Sequence, residues 1–255
     1  QITQYMNNNY AINPAVAGMY DYYQVNTSIR NQWVGINDAP RTTVISIYGK
    51  HSDNVGLGGT VYNDVTGPTS RAGGAASYTY AFSLTAKMKL SLALQGGFTQ
   101  FKIIKSDLLV ENPNDASIEG KNIVRVLPEA TFGLNLSGDK WYIGLAIPQL
   151  LNSNLLLMDD DKTRENPDII QSGKLLSHIY VLGSYTYDIN SAISIEPSFF
   201  LRAVAGANTQ IDFGIKSEYK KLFWLGMNYK MNNDLSSIAT LLGFNINDRY
   251  NIGYS

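Results

Sequence analysis

Two histidines, His51 and His178, are the chain's only imidazoles and it has no cysteine, so nucleophile-and-base chemistry has few places to start. Ser177 stands beside His178 in "LLSHIY", but neighbours on an extended strand point to opposite faces and cannot share a proton. With no nucleophile and base brought together, the chain reads as a non-enzyme that needs no cofactor. The acidic run "MDDDKTRENPD" over 158–168 offers Asp159, Asp160 and Asp161 as oxygen ligands for Ca²⁺. Counted from Asp159, Arg164 stands where an EF-hand needs its glycine, so a solvated loop is the simpler reading and no metal is assigned. A third set behaves differently. Arg30, Glu196, Arg202, Asp212 and Lys216 each sit inside a run of alternating apolar residues and share the parity opposite to the apolar one.

The stretch "ISIEPSFFLR" shows the pattern, with Ile193, Ile195, Phe199 and Leu201 on one side and Glu196 and Arg202 on the other. The same period of two runs through Val25 to Ile29, Tyr78 to Leu84, Leu90 to Phe98, Phe132 to Leu136, Ile211 to Ile215 and Tyr250 to Tyr254. Strands are expected at 22–31, 41–50, 55–64, 74–84, 90–101, 125–138, 140–147, 176–188, 192–203, 209–219, 222–230, 237–246 and 249–255. Many approach the length of roughly 9–11 residues that crosses a bilayer at a tilt. The list is odd in number, whereas bacterial single-chain barrels use even numbers. About 14 strands are therefore expected, the last lying beyond the quoted residues.

Connections give an independent signal, because long and short ones alternate. "QWVGINDAP" precedes "HSDN", "VTGPTSRAG" precedes "TAKMK", the long stretch after Lys102 precedes "SGDK", and the one after Pro148 precedes "DINS". A membrane barrel with short periplasmic turns and long outer loops has this asymmetry. The expected fold is therefore an all-β, transmembrane, antiparallel up-and-down β-barrel. Residues 22–255 would form the barrel, and the Tyr- and Asn-rich residues 1–21 a periplasmic segment that caps or plugs its lumen. If lipid surrounds the sheet, Ile193, Ile195, Phe199 and Leu201 face it while Arg30, Glu196, Arg202, Asp212 and Lys216 face inward, since a charge on the lipid side costs about 2–4 kcal/mol near the midplane. A soluble sandwich with one wet face would show the same alternation but gives no reason for the loop asymmetry. Pro197 lacks a donor inside a strand, and a bulge is expected there. Tyr22, Trp33, Tyr48, Tyr62, Phe101, Trp141, Tyr187 and Tyr219 lie near strand ends, where an interfacial girdle would sit.

Composition agrees. Only 16% of the residues are charged, against roughly 25% in soluble domains. The net charge of −1 offers no basic field for nucleic acid. No run of about 18 apolar residues exists, so spanning helices are not expected. The opening "QITQYMNNNY" reads like a mature terminus after removal of an export signal.

Three stretches, "QYMNNNYAINPAVAG" (4–18), "RNQWVGINDAPRT" (30–42) and "VGLGGTVYNDVTGP" (55–68), followed by Tyr-rich strands to "NINDRYNIGYS", resemble the PorP/SprF-like outer-membrane proteins of type IX secretion and gliding machinery in Bacteroidota. That resemblance implies a bacterial outer-membrane barrel without catalytic activity. Its implied partners are the lipid bilayer, other type IX secretion components, and a secreted surface protein or adhesin C-terminal domain that it anchors or helps export. An outer-membrane channel or hydrophobic-substrate transporter is the alternative. Asn13, Pro14 and Ala15 are expected to shape the N-terminal plug. Asp107, Glu111, Asp159, Asp160, Asp161 and Arg164, on the two longest loops, are the candidates for client binding.

Overall fold

The computed structural model describes residues 5–104, 122–156, 172–231 and 236–255. Alternating side chains, rich in β-branched and aromatic types, make strands of nearly all of it. Among the described residues only Pro14–Gly18 is helical, as the 3₁₀ turn η1, and no helix is long and apolar enough to cross a membrane.

The principal strands are β1 (Gln24–Asn31), β2 (Arg41–Lys50), β3 (Val55–Thr66), β4 (Thr69–Thr85), β5 (Met88–Ile103), β6 (Ile123–Ser137) and β7 (Trp141–Ile147). A two-strand outlier, β8 (Asn154–Leu156) with β9 (Ser172–Lys174), follows. Then come β10 (His178–Tyr185), β11 (Tyr187–Asp188), β12 (Ile193–Val204), β13 (Gln210–Tyr219), β14 (Phe223–Met231), β15 (Ser237–Asn245) and β16 (Asn251–Tyr254). All except β8 and β9 belong to one 14-stranded sheet, in which each strand pairs antiparallel with its sequence neighbour and β11 lies beside β12 in line with β10. This is the up-and-down meander that the alternation implies. Its edges are β1 and β16, which share no ladder among the described residues.

The sheet is inside-out relative to a soluble core. Ser46, Thr79, Ser91, Thr99 and Asn135 are buried, whereas Ile29, Val61, Leu94, Phe98, Phe213 and Leu225 are exposed. Water would penalise that outer face at about 25 cal/mol per Å² of apolar surface; hydrocarbon does not. The sheet is wrapped around residues 5–18. Tyr5, Met6 and Ile12 form one apolar cluster with Tyr142 of β7, Leu182 of β10, Phe200 of β12, Trp224 of β14 and Leu241 of β15. Tyr10, Val16 and Ala17 cluster with Tyr48 of β2.

Several details differ from the sequence expectations. The connection expected to be long at "VTGPTSRAG" is a two-residue turn, Gly67 and Pro68, because β3 and β4 extend to Thr66 and Thr69. A glycine at φ +53° supplies the left-handed backbone that so tight a turn needs. Pro197 makes no bulge: its register with β13 runs unbroken from Ile193↔Tyr219 to Arg202↔Gln210. The break lies on the other flank, where pairing stops between Ser184↔Ser198 and Tyr187↔Ile195. A residue in an antiparallel strand addresses only one neighbour, so the absent N–H interrupts a single ladder and divides the expected strand 176–188 into β10 and β11. Tyr48 and Tyr62 point inward and belong to no girdle, because even positions face the interior on β2 and β3.

Candidate functional site

The interior segment is held by contacts to strands far apart in sequence. Asn13 caps η1 by accepting from the Ala15 N–H at 3.0 Å, and its Nδ2 donates to the Leu134 carbonyl on β6 at 2.9 Å. Pro14 at the first helical position has no N–H to leave unsatisfied, and its carbonyl accepts from Thr79 Oγ1 of β4 at 3.0 Å. The run Asn13, Pro14, Ala15 therefore combines a cap, a turn starter and a small residue that fits against the wall. Tyr5 and Tyr10 reach the Ser198 and Ser77 hydroxyls at 3.0 and 2.8 Å, and the Tyr10 ring stacks on Tyr48 at 4.3 Å. Glycine makes room: a Cβ on Gly56 would come within 2.5 Å of the Gly18 nitrogen, and one on Gly133 would strike the Asn13 amide. Asp21, ahead of β1, meets Lys50 at the end of β2 at 3.0 Å, and the hydrogen bond from that ammonium holds the Asp21 carboxyl below the usual aspartate range.

Two ion pairs line the interior. Glu196 and Lys216 are directly opposite on β12 and β13, and their charges meet at 2.7 Å. Arg202 takes the diagonal instead. Its Nη2 donates to Asp212 Oδ2 at 2.8 Å, while Gln210 Nε2 donates to Oδ1 at 3.0 Å. The Asp212 side chain is 0% exposed and that of Arg202 14%. The Arg202 guanidinium also lies over the Phe200 ring at 4.9 Å. Arg30 stands on the inward parity of β1, within electrostatic range of Arg202 and Asp64.

Ala11 borders two cavities toward the end of the sheet that carries the longest connections. One, of about 380 Å³, is lined by His178, Tyr180, Phe200, Arg202 and Gln210. The other, of about 310 Å³, is lined by Thr42, Asp64, Arg71, Gln95 and Glu129. The interior thus ends in a two-lobed cup, aromatic and basic on one side and mainly acidic on the other. Asp64, Arg71 and Glu129 are not among the site residues expected from the sequence: Asp64 ends the expected strand 55–64, Arg71 falls in the connection before residue 74, and Glu129 lies within the expected strand 125–138 on the polar parity, directly after Pro128.

His178 Nδ1 lies 2.9 Å from the Leu176 carbonyl. The Ser177 hydroxyl is within hydrogen-bond distance of the Gln149 carbonyl and Asn152 Oδ1, at 3.0 and 3.1 Å, at the root of the 148–177 connection. Among the described residues no group of three or more His, Asp or Glu side chains could hold a metal ion. The loop candidates Asp107, Glu111, Asp159, Asp160, Asp161 and Arg164 lie outside the described residues.

A search of the curated proteins finds no match. Among solved structures the chain resembles the toluene transporter TbuX of Ralstonia pickettii, with a TM-score of 0.50 at 11% identity over 92% of this chain and 84% of that one. At that identity the likeness concerns the fold, an outer-membrane barrel. The family model for the type IX secretion system membrane protein PorP/SprF matches residues 1–255. With its meander, its outward apolar belt and this whole-length match, the chain belongs to the PorP/SprF family of type IX secretion membrane proteins and is an outer-membrane β-barrel.

Proposed function

We propose that this barrel is a plugged docking platform that anchors, or helps export, a secreted surface protein such as an adhesin. The observation that carries the reading is the occupied interior. Residues 5–18 are bonded to β4, β6 and β12 and packed in apolar clusters against β2, β7, β10, β12, β14 and β15, with the two charged cavities beside Ala11. A diffusion channel needs a continuous wet path, whereas a cup with separated acidic and basic lobes suits recognition of a polypeptide surface. The plug role of Asn13, Pro14 and Ala15 is part of the same proposal, as are the outward position of the long connections and a further contribution from their acidic residues.

TbuX is described as a toluene transporter, and transport of a hydrophobic solute is the reading to separate from this one. The test is affinity purification from native outer membranes with identification of bound proteins, paired with uptake measurements in liposomes. Docking predicts a secreted protein that co-purifies stoichiometrically, is lost on Asp64→Asn with Glu129→Gln, and little flux. Solute uptake that rises when Asn13 is replaced, with no co-purifying protein, would overturn it.

A further inference from the structure

The connection between β1 and β2, residues 32–40, curls over the outside of the wall and away from the lumen. It borders a cleft of about 520 Å³ whose other residues include Asn31, Asn63 and Val65. These odd positions on β1 and β3 carry the lipid-facing parity, so the cleft opens on the hydrocarbon side of the barrel, continuous with the exposed belt of Ile29, Ile45 and Val61. The connection is built rather than slack. Gln32 N–H donates to the Pro40 carbonyl at 3.0 Å, and Gly67 N–H donates to the Asp38 carbonyl at 3.0 Å. Trp33 and Asp38 hold left-handed backbones at φ +49° and +58°, a conformation that costs a non-glycine residue energy and that the surroundings must impose. What it displays is apolar: Trp33, Val34 and Ile36 are 67%, 88% and 64% exposed. A Trp at the rim of an apolar belt is the usual interfacial anchor. The same cleft holds one cation and one anion, Arg41 and Asp38, which form no ion pair with each other or with any other described residue.

We propose that this cleft is a phospholipid site selective for a headgroup with a phosphate and a primary ammonium, a phosphoethanolamine. Arg41 takes the phosphate, Asp38 takes the ammonium, and the acyl chains descend along Trp33, Ile36 and Val65 onto the belt. The charge pattern decides among lipids. A purely anionic headgroup leaves Asp38 opposed to the phosphate, and a phosphocholine presents no N–H to that carboxylate. This site is independent of the docking reading and of which end of the barrel faces the cell exterior.

The experiment is native mass spectrometry of the full chain released from nanodiscs containing equal parts of phosphatidylethanolamine, phosphatidylcholine and phosphatidylglycerol. The unaltered protein should retain phosphatidylethanolamine preferentially. Arg41→Gln should lower retention of all three phospholipids about fivefold, the scale of one surface cation. Asp38→Asn, whose amide side chain suits the left-handed backbone, should keep binding but erase the preference for ethanolamine over choline. Lys221→Gln, an exposed cation in the β13–β14 turn, is the control for general electrostatics. Heat-modified gel mobility reports whether each variant is folded. The proposal is overturned if Arg41→Gln and Lys221→Gln act alike, or if retention follows net lipid charge. It is also overturned if Trp33→Ser with Ile36→Ser removes a co-purifying protein while lipid retention stays the same.

Discussion

Asp212 is fully enclosed, and both its oxygens are engaged, by Arg202 and by Gln210. A carboxylate in that position is tolerable only because its partners are in place, so the two halves of the pair are worth very different amounts alone and together. Asp212→Ala should lower unfolding stability by about 3–5 kcal/mol, since Arg202 is then a nearly buried cation without its counter-ion. Asp212→Leu with Arg202→Met should recover much of that loss. Urea titrations of detergent-solubilised protein followed by Trp fluorescence compare the two, and equal losses would contradict this account. Parity is legible in the sequence for Arg202 and Asp212; their partnership is not. They meet diagonally, Phe200↔Asp212 and Arg202↔Gln210 being the opposed positions, and a diagonal contact follows from register and twist rather than from spacing along one strand.

At the scale of elements, alternation revealed nearly every strand, because a period of two survives wherever one face meets lipid and the other a polar interior. Boundaries were harder to read where both parities are small. In "TGPTSRAGGAAS" Gly, Ala and Ser carry almost no contrast, and β4 consequently starts at Thr69 where the pattern suggested residue 74. Pro197 misled for another reason: a bulge is one remedy for a lost donor, and an interrupted ladder on one flank is another. Pro197→Ala should therefore change stability by less than about 0.5 kcal/mol. Ile215→Pro, opposite it on β13, removes a donor aimed at β14 and should cost about 1–3 kcal/mol. Similar losses for the two would mean that the Pro197 flank is paired after all. Asn13→Ala deletes a cap together with a bond to β6 and should loosen residues 5–18 by about 1–2 kcal/mol. Hydrogen exchange at Ala15 and Val16 should rise accordingly, with protection in β4 and β5 unchanged.

For the whole molecule, exposed apolar and buried polar residues make sense only with hydrocarbon as the outer solvent, and that inversion could be read before any coordinate. A capping or plugging N-terminal segment is an expectation of the sequence too, but the strands it touches are not, because residues 5–18 show no periodicity that names their partners. Their tether at the turn end is the Asp21–Lys50 pair. The Asp21 carboxyl is depressed, so its contribution is present above the ordinary aspartate pKa and fades as pH falls through the lower folded value. Being exposed, the pair is also weakened by salt. Acidification below the aspartate range should speed exchange at residues 19–23, and Asp21→Asn should abolish that step. The staves themselves are unequal. β4 has 17 residues and β14 has 9, which at a tilt of about 40° rise roughly 43 and 23 Å, against an apolar band near 25 Å. On the tall flank, β6 from Ile123 to Thr131 overtops β7, whose pairing begins only at Phe132. Among the described residues the wall is consequently a parapet at β4 and a low sill at β14, and on the docking reading proposed above a bulky partner would be expected to approach over the sill.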